Sequence, residues 1–322
     1  MILIVSTQFD PHVDFVIDEI RRRRLSFARF NTEDFPTEAS VAVEYNAGID
    51  LRESYIIIPA NPTIRLDAVR SVWYRRPEVP EVDARITSDA VRGFAEAEAQ
   101  SALDGLWEII DGLWINRPAA IRRTRKLAQL VVAHELGFNI PRTLVTNEPA
   151  RVLDFFAACQ GNVVCKTLRE GTINYPGHST AIYTHRCSPE DLELLESVSL
   201  APSIFQEYVP KSFELRITVV GRRVMAAAID SQLSPLTRDD WRRYDFANVP
   251  HSVHQMPDDV EEKCRSIVAR FGLVFGAIDM IVTPEGEYIF LEVNPNGQWA
   301  WIEGLTGLPI CSALVDLLAA DT

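Results

Sequence analysis

The chain begins with short apolar runs that alternate with amphipathic segments. The run ILIVS (2–6) has strand character, HVDFVIDEIRRRR carries apolar residues at helical spacing, and SFARF is a second strand-like run. The runs VAVEY, SYIIIP and SVWYRRP (71–77) follow, and an Ala/Glu-rich helical region covers about 87–112. Strands that alternate with helices predict a parallel α/β domain. We place its end near INRPAA, where Pro118 interrupts the pattern.

The rest of the chain mixes strands and helices less regularly. TRKLAQLVVAHELGF predicts a helix that stops at Gly137. Its predicted apolar face consists of Leu127, Leu130, Val131 and Leu136. Strands near TLVT, NVVCK and AIYTH alternate with helices near 148–158 and 189–196, and strands IFQEYV, ELRITVV and RVMAAAID precede a helix at 258–271 and a hairpin. The pattern predicts a mixed α/β and α+β protein: an N-terminal α/β domain (1–117) and two lobes (118–203 and 204–322) with a cleft between them.

Composition narrows the class of protein. The 322 residues are 47% hydrophobic and 24% charged, and the formal net charge is -13 at pH 7. That acidity argues against a nucleic-acid or membrane-surface binder, since both need a basic footprint. The five cysteines are scattered with no CxxC pair, so neither a disulfide framework nor a zinc site is indicated. No signal peptide is recognisable and no apolar run approaches the ~20 residues of a membrane span, which favours a cytoplasmic protein.

The most informative stretch is YIFLEVNPNGQWAW (288–301), where Glu292, Asn294 and Asn296 occupy every second position. Alternate residues of a strand share a face, so Glu292 and Asn294 should point the same way, beside Tyr288 and Phe290. Burying such polar groups without partners would cost several kcal/mol. A partner is therefore expected nearby.

The upstream run FGAIDMIVTPEGEYIFLEV predicts an antiparallel hairpin with Glu285 and Gly286 at its tip. In that register Asp279 lies directly opposite Glu292, at the ~5 Å separation at which like charges destabilise a sheet. Two facing carboxylates and the amide of Asn294 therefore suggest a hard cation such as Mg²⁺. The alternatives are a hydrogen-bonded acidic pair at a strand end, or a register slipped by one residue, which would leave Asp279 buried without a counter-charge.

A lysine and a glycine-containing loop suggest a phosphate site. Lys166 shares a strand face with Val164 and Leu168, so it must extend to solvent, lose its charge or meet an anion. The polar segment REGTINYPGHST (169–180) follows and is long enough to close over a ligand, but GxxxxGK[ST] is absent. Lys126, near the start of its helix, is a second candidate, although alone it would be taken for a surface lysine.

Two further strands carry candidate ligand contacts. IFQEYVP (204–210) ends at Pro210, and its main chain over Gln206, Glu207, Tyr208 and Val209 can offer the paired donor and acceptor that adenine requires. In FELRITVVGRRVMAAAID, a hairpin turning at 221–222, Glu214, Arg216 and Thr218 share a face. The guanidinium of Arg216 suits a phosphate or carboxylate. A salt bridge to Glu214 or Asp230 is the competing interpretation.

These motifs, taken together, resemble those of the ATP-grasp carboxylate-amine ligases. The set consists of Lys126, Lys166, the glycine loop, QEYV, ELR and AIDM…LEVNPN. Five longer segments are similar to those of microviridin-type graspetide synthetases, which macrocyclise ribosomal peptides. They are VWYRRP, IPRTLVTNEP, QEYVPKSFELRITVVG, DWRRYD and FLEVNPNGQWAWIE. The resemblance implies a pre-ATP-grasp domain followed by a two-lobed ATP-grasp fold.

The resemblance also implies the site. Lys126 and Lys166 would hold phosphates, Gln206 to Val209 adenine, and Glu214 would lie near the ribose. Asp279, Glu292 and Asn294 would hold two Mg²⁺ ions. ATP would phosphorylate an Asp or Glu side chain of a precursor peptide, and Thr, Ser or Lys would then attack to close an ω-ester or ω-amide ring. Arg216 would stabilise the tetrahedral oxyanion, and no residue stands out as a general base.

Several residues are candidates for contacts with the peptide, which in this family has a leader and an acidic, Thr-rich core. The guanidinium groups of Arg238, Arg242 and Arg243 in LTRDDWRRYD could collect core carboxylates, and a solvated loop is the alternative. Asn296 and Trp299 could line the peptide cleft, although core packing is the default for tryptophan. Arg75 and Arg76 are expected at the domain interface. A homodimer is also expected from the family.

Three functions are compatible with these motifs. The first is a peptide-macrocyclising ligase, and the second is an ATP-grasp ligase that acts on a small molecule or protein terminus. The third is a nucleotide-binding regulator without catalysis. Loss of a metal ligand or phosphate lysine would mark the regulator, whereas Lys126, Lys166, Asp279, Glu292 and Asn294 are all present.

Overall fold

The computed structural model describes residues 1–44, 54–58, 63–169, 171–175 and 177–320. The predicted strands VAVEY and SYIIIP each end outside these ranges, at Tyr45 and Pro59. No helix in the described part combines the length and apolarity needed to cross a bilayer.

The N-terminal unit is built on a parallel sheet, as the alternating pattern predicted. The order of its strands is β2-β1-β6-β7, and every pairing is parallel. Its elements are β1 (Ile2–Ser6), α1 (Pro11–Arg22), β2 (Phe27–Asn31), β3 (Ser40–Ala42), β4 (Tyr55–Ile57), β5 (Ile64–Arg65), β6 (Ser71–Tyr74), α2 (Asp89–Ile109) and β7 (Leu113–Ile115). Strands β3, β4 and β5 form a small separate sheet.

A central lobe follows, with a four-stranded antiparallel sheet in the order β12-β9-β13-β8 and a separate hairpin, β10–β11. The elements are α3 (Pro118–Arg123), α4 (Lys126–Glu135), β8 (Thr143–Thr146), α5 (Pro149–Ala158), β9 (Val163–Lys166), β10 (Thr172–Tyr175), β11 (His178–Ala181), β12 (His185–Arg186) and β13 (Ser203–Glu207). The predicted helix near 189–196 is a 3₁₀ stretch, Glu190–Leu200.

The C-terminal lobe is a five-stranded antiparallel sheet in the order β16-β15-β14-β17-β18. Its elements are β14 (Phe213–Val220), β15 (Arg223–Ile229), β16 (His251–His254), α6 (Asp258–Arg270), β17 (Phe275–Val282), β18 (Tyr288–Asn294), α7 (Ala300–Thr306) and α8 (Ile310–Ala319). One face of the sheet packs on α6 through residues such as Ile217, Ile278 and Ile267.

The pairing of strand β13 is at odds with the predicted boundary between residues 203 and 204. The strand pairs with β8 and β9, so it belongs to the sheet of the central lobe and not to the lobe predicted to begin at 204. We therefore propose that the lobes divide at 208–212, and the division after 117 remains a proposal.

The C-terminal helix returns to the N-terminal sheet. Leu314 and Leu318 of α8 are buried in one cluster with Ile2 and Ile4 of β1 and with α1, which gives the N-terminal domain and the C-terminal lobe a shared core. Burial of apolar surface at about 25 cal/mol per Å² makes this contact a strong constraint on how the two units sit.

In the acidic hairpin Asp279 pairs with Glu292, as predicted, but the turn and the register near the turn differ from the prediction. The turn is one residue longer than predicted: the Thr283 N–H donates to the Glu287 carbonyl at 3.0 Å, and Gly286 has a positive φ of 84°. The register near the turn is therefore displaced by one from the predicted register.

A β-bulge at Leu291 compensates for that displacement. Met280 pairs with Phe290 and Asp279 with Glu292, so Leu291 is the extra residue on β18. The bulge also reverses the alternation of faces. Phe290 is fully buried against the α6 side. The prediction that Phe290 lies beside Glu292 is therefore wrong.

The predicted apolar face of the α4 segment is wrong at two of its four residues, whereas Leu136 does pack against a buried cluster. Leu127 and Val131 are 52% and 59% exposed, whereas Gln129 and Ala133 are buried. The Gln129 side chain makes the two hydrogen bonds that a neighbouring strand would make. Its amide oxygen accepts from the Val293 N–H at 2.9 Å, and its amide nitrogen donates to the Val293 carbonyl at 2.8 Å. Strand β18 is at the edge of the sheet, so these bonds satisfy backbone groups that no further strand reaches.

This bonding makes Gln129→Ala a test of how β18 is held. We expect the variant to lose roughly 2–4 kcal/mol of stability, because a buried N–H and a buried carbonyl lose their partners. Urea unfolding followed by circular dichroism measures the loss. Gln100→Ala, which removes one hydrogen bond to Asp104 on α2, is the control, and an equal loss in both variants would contradict the assigned role.

Candidate active site

A cleft between the central and C-terminal sheets contains most of the predicted site. The central lobe contributes Lys166 on β9 and residues 206–209, the C-terminal lobe contributes Glu214, Asp279 and Glu292, and α4 contributes Lys126. Strand alternation explains the grouping, because β9, β14, β17 and β18 each turn one face to the cleft.

The two facing carboxylates each have a cation. Arg216 Nη1 lies 2.8 and 3.0 Å from the two oxygens of Asp279, and Lys126 Nζ lies 3.0 Å from Glu292 Oε2. The Asn294 amide donates to Glu292 Oε1 at 3.0 Å. The predicted alternative for Arg216, a salt bridge to Glu214 or Asp230, is wrong because its partner is Asp279 on the neighbouring strand.

The carboxylates differ in how readily they ionise. Burial and the charge of Glu292 raise the pKa of Asp279, against the opposing charge of Arg216. Burial also disfavours the Glu292 anion, but the charge of Lys126 and the hydrogen bond from Asn294 outweigh it and lower the pKa of Glu292. The two carboxylates of one site thus have pKa values shifted in opposite directions, because their neighbouring charges and hydrogen bonds differ.

The donor set fits a divalent oxygen-loving cation. Two carboxylates and an amide oxygen are ligands typical of Mg²⁺, which keeps further positions for water and phosphate. The described residues contain no cluster of three or more His, Cys, Asp or Glu side chains able to hold a metal, so Asn294 would complete the set. Its amide nitrogen now faces the carboxylates, and it would need to turn for its oxygen to become a ligand.

The lysines form the positive wall of the cleft. Burial lowers the pKa of Lys166 to about 8, with the charge of Glu292 opposing and that of Lys126 assisting the shift. Lys126 also donates to the Thr167 carbonyl at 2.9 Å, which links the first turn of α4 to the end of β9. Two ammonium groups thus lie close to an acidic pair, and their charge is suited to an anion bound in the cleft.

Strand β13 presents its end to the cleft. The N–H groups of Glu207 and Tyr208 donate to the carbonyls of Arg142 and Asn162, at 2.9 and 2.8 Å. Among the described residues, no hydrogen bond from the Val209 N–H is found. The Gln206 side chain is buried and donates to Thr143 Oγ1 at 3.0 Å, so it supports the sheet.

Known proteins share this architecture. The family model of the MvdD pre-ATP-grasp domain matches residues 1–122. The macrocyclase MdnC of Microcystis aeruginosa, solved with the precursor peptide MdnA, is 31% identical with a TM-score of 0.87 and 99% of each chain covered. A RiPP-associated ATP-grasp ligase of Chryseobacterium gregarium, solved with ADP and a leader and core peptide, is 31% identical with a TM-score of 0.88, covering 98% of this chain and 96% of that chain.

The chain belongs to the microviridin-type ATP-grasp peptide maturases. Its fold is a pre-ATP-grasp domain followed by an ATP-grasp fold, and it is an ATP-grasp ligase, as the resemblance in the sequence implied. A more distant relative is the probable alpha-L-glutamate ligase 2 of Pseudoalteromonas atlantica, 24% identical over 281 residues, which are 85% of this chain and 86% of the relative.

The maturase cleft also contains residues that sequence analysis missed. The Lys211 side chain is buried and donates to Glu214 Oε1 at 2.7 Å. Asp240 is buried and accepts from the Thr184 N–H at 2.7 Å. Burial raises the pKa of Glu214, with Lys211 opposing the shift. The spacing of Lys211 and Glu214, three residues apart and just after Pro210, was the available signal.

The three arginines predicted to contact substrate carboxylates have different surroundings. Arg242 lines the cleft but is held by Asp240, with its Nε 2.9 Å from Asp240 Oδ1. The Arg243 guanidinium lies 5.3 Å from the centre of the Tyr183 ring. The Arg238 carbonyl accepts from Gln232 Nε2 at 3.0 Å. Their contact with a peptide remains a prediction.

The residues after β18 lie at the domain interface. Trp299 is 1% exposed and packs edge-on against His12, with ring centres 5.3 Å apart, so the prediction that it lines the peptide cleft is wrong. The Asn296 carbonyl accepts from Arg76 Nε at 3.0 Å. Arg75 is buried and donates to the Gly297 carbonyl at 3.2 Å, which confirms the expected interface role of this arginine.

The Arg216–Asp279 pair gives a stability test. Arg216→Met should destabilise the protein by about 3–5 kcal/mol, because it leaves a buried carboxylate unpaired. Adding Asp279→Asn should restore part of the loss. Urea unfolding measures both, and Arg85→Met, at an exposed pair with Asp83, should change nothing measurable. A loss that persists in full in the double variant would contradict an electrostatic cause.

Proposed function

We propose that this ligase activates Asp or Glu side chains of a ribosomal precursor peptide as acyl phosphates and closes ω-ester or ω-amide rings with Thr, Ser or Lys side chains. The observation that carries the proposal is a cleft in which Asp279 and Glu292 face each other beneath Lys126 and Lys166. The chain that forms it matches, over 99% of its length, a macrocyclase solved with its precursor peptide.

The chemistry has two steps. A carboxylate oxygen of the peptide attacks the γ-phosphorus of ATP, the bond to the β–γ bridging oxygen breaks, and ADP leaves. The hydroxyl or amine of a second side chain then attacks the acyl carbon, inorganic phosphate leaves, and the proton of the nucleophile passes to phosphate or water. Each ring therefore removes one water from the peptide.

The residues of the cleft have separate tasks in these steps. Lys126 and Lys166 offset charge on the phosphates, and residues 206–209 bind adenine through the main chain, with Val209 N–H as the donor. Glu214 lies near the ribose. Asp279, Glu292 and Asn294 would hold two Mg²⁺ ions, which supply charge compensation for the transferring phosphoryl group.

Arg216 is suited to the second step. Its Nε is buried and has no partner within the described residues, and its two other nitrogens are already engaged by Asp279 and the Gln298 carbonyl. A donor held in place before the reaction stabilises a developing oxyanion without reorganisation. This supports Arg216 as the catalytic residue.

The substrate peptide has a leader and an acidic, Thr-rich core in this proposal. Arg238, Arg242 and Arg243 lie in one segment and supply the positive charge that such a core requires. We also propose a homodimer and a cytoplasmic location. The five cysteines are free, which a reducing compartment fits.

A second candidate is a ligase that adds an amino acid to a peptide or protein terminus. The similarity to a probable alpha-L-glutamate ligase favours it. The two candidates differ in the mass of the product, because amino-acid addition increases the mass of the acceptor whereas ring closure lowers it by one water.

The direct test is incubation with ATP, Mg²⁺, free L-glutamate and an acidic, Thr-containing candidate precursor peptide. Intact mass should fall by one water per ring, and Glu292→Gln should abolish the loss because a metal ligand is removed. Glu285→Gln, at the exposed tip of the same hairpin, should retain activity. A gain of mass would favour the second candidate, and no ADP release with any acidic peptide would contradict both.

Nucleotide binding should depend on the charge of Lys166. Because the pKa of Lys166 is about 8, the free protein loses the ammonium as pH rises above 8, and phosphate binding must restore the proton. We expect the Kd for metal-free ADP to rise with a slope approaching roughly tenfold per pH unit above that pKa. Calorimetric titration from pH 7 to 9.5 measures it.

Lys166→Arg keeps the charge throughout this range and serves as the control. Its affinity should change little between pH 7 and 9.5. The same slope in the variant and the wild type would show that another group titrates.

A further inference from the structure

A buried polar network joins the N-terminal domain to the segment that follows the acidic strand. This segment, residues 295–299, is called the 295–299 loop here; it begins directly after Asn294 and ends at Trp299, before α7. The N-terminal domain bonds to it through Arg75 and His12. The resemblance to known families assigned these two residues no catalytic function.

Arg75 holds the carbonyls of the loop. It is 2% exposed, and its Nη1 donates to the carbonyls of Asn296 and Gly297, the latter at 3.2 Å. Its Nε donates to Asp10 Oδ2 at 3.0 Å. A planar guanidinium that bridges a carboxylate and two carbonyls fixes their relative positions in a way that an ammonium does not.

Asp10 and His12 hold Arg75 and the end of the loop. Asp10 caps the N-terminus of α1, where its Oδ1 accepts from the His12 N–H at 2.9 Å and lies 3.1 Å from His12 Nδ1. On the other side of the ring, Nε2 accepts from the Trp299 N–H at 3.1 Å. Burial lowers the pKa of His12, so the ring is neutral, with its proton on Nδ1 for Asp10.

The opposite side of the loop is held by Arg216. Its Nη2 donates to the Gln298 carbonyl at 2.9 Å while its Nη1 bonds Asp279. The fit is tight, because a Cβ on Gly297 would lie 2.2 Å from Ala277 Cβ and 2.8 Å from Arg216 Nη2. Successive carbonyls of the loop, from 296 to 298, are thus held by Arg75 and Arg76 from the N-terminal domain and by Arg216 from the C-terminal lobe.

We propose that Arg75 is a positioning residue for the ligase reaction. By holding the 295–299 loop from the N-terminal domain, it fixes Arg216 against Asp279 and keeps β18 in register with β17. Arg75 itself touches no reacting group. The inference rests on the proposed function, since it needs a measurable ligase rate. It gives the pre-ATP-grasp domain a part in the geometry of catalysis.

The test starts with Arg75→Lys, assayed with ATP, Mg²⁺ and the peptide that the wild type converts. We expect kcat to fall roughly 10- to 100-fold, because small displacements of a catalytic group have effects of this size. The KM for ATP should change less than kcat, since Lys166 and the residues assigned to adenine lie on the central lobe and only Glu292 and Asn294 lie on β18.

A matched control exists at the same domain interface. Arg23 lies just beyond α1 and bonds Asp316 Oδ1 at 2.5 Å and Ser312 Oγ at 2.7 Å, and both partners lie on α8 and not on the 295–299 loop. Arg23→Lys should leave kcat unchanged even if it lowers the melting temperature. An equal loss of kcat in both variants would show a general effect of the interface and overturn the proposal.

A double-mutant cycle separates positioning from stability. If Arg75 acts through Arg216, Arg75→Lys should add little to the loss of kcat caused by Arg216→Lys, whereas independent effects would multiply. Multiplying effects would overturn the proposal. Arg23→Lys combined with Arg216→Lys should show the kcat of Arg216→Lys alone.

A surface variant covers the case in which Arg75→Lys does not fold. Arg76→Gln removes a single exposed bond to the Asn296 carbonyl and should lower kcat by a smaller factor without loss of folding. Unchanged kcat in Arg76→Gln, with Arg75→Lys unfolded, would count against control of catalysis through the loop. A wild type that forms no product instead contradicts the proposed function.

Discussion

The site depends on two carboxylates that face each other across neighbouring strands. Like charges at that separation repel, and burial removes the water that would screen them. Asp279 and Glu292 coexist because each has its own cation, Arg216 on β14 and Lys126 at the start of α4. Removal of either cation would favour protonation of its partner. The sheet order that brings β14 beside β17 and the helix that brings Lys126 to β18 are therefore electrostatic requirements of the cleft.

The same arrangement explains the irregularities of β18. A regular strand in the register set by the turn would place Leu291 opposite Asp279, and Glu292 would face the α6 core. The bulge adds one residue and returns Glu292 to the cleft. Because an edge strand with a bulge has unpaired backbone groups, the amide of Gln129 is needed where a neighbouring strand would otherwise bond. Local distortion and an unusual buried glutamine thus have a common cause.

The sequence predicted what short-range pattern controls. The parallel opening unit, α6, the turn at 221–222 and the shared face of Glu214, Arg216 and Thr218 follow from periodicity and turn residues. The pairing of Asp279 with Glu292 was also predicted, although through two offsetting errors in register.

What the sequence could not supply were partners distant along the chain. The buried face of α4 was wrong because Gln129 bonds a strand 164 residues away, and no apolar period reveals that. Trp299 was placed on the cleft for the same reason, since the His12 ring that packs on it comes from the first helix. The assignment of Arg216 to Glu214 or Asp230 failed because an antiparallel neighbour, β17, supplied a closer carboxylate. In each case the missing information is which surfaces meet, and polar groups show this less clearly than apolar ones.

The interface at the 295–299 loop is the extreme example, because its order comes from carbonyls and arginines whose spacing in sequence carries no period at all. A domain with no described residue in the lining of the cleft can nevertheless influence the geometry of that cleft, since the loop it holds is continuous with the strand that carries Glu292 and Asn294.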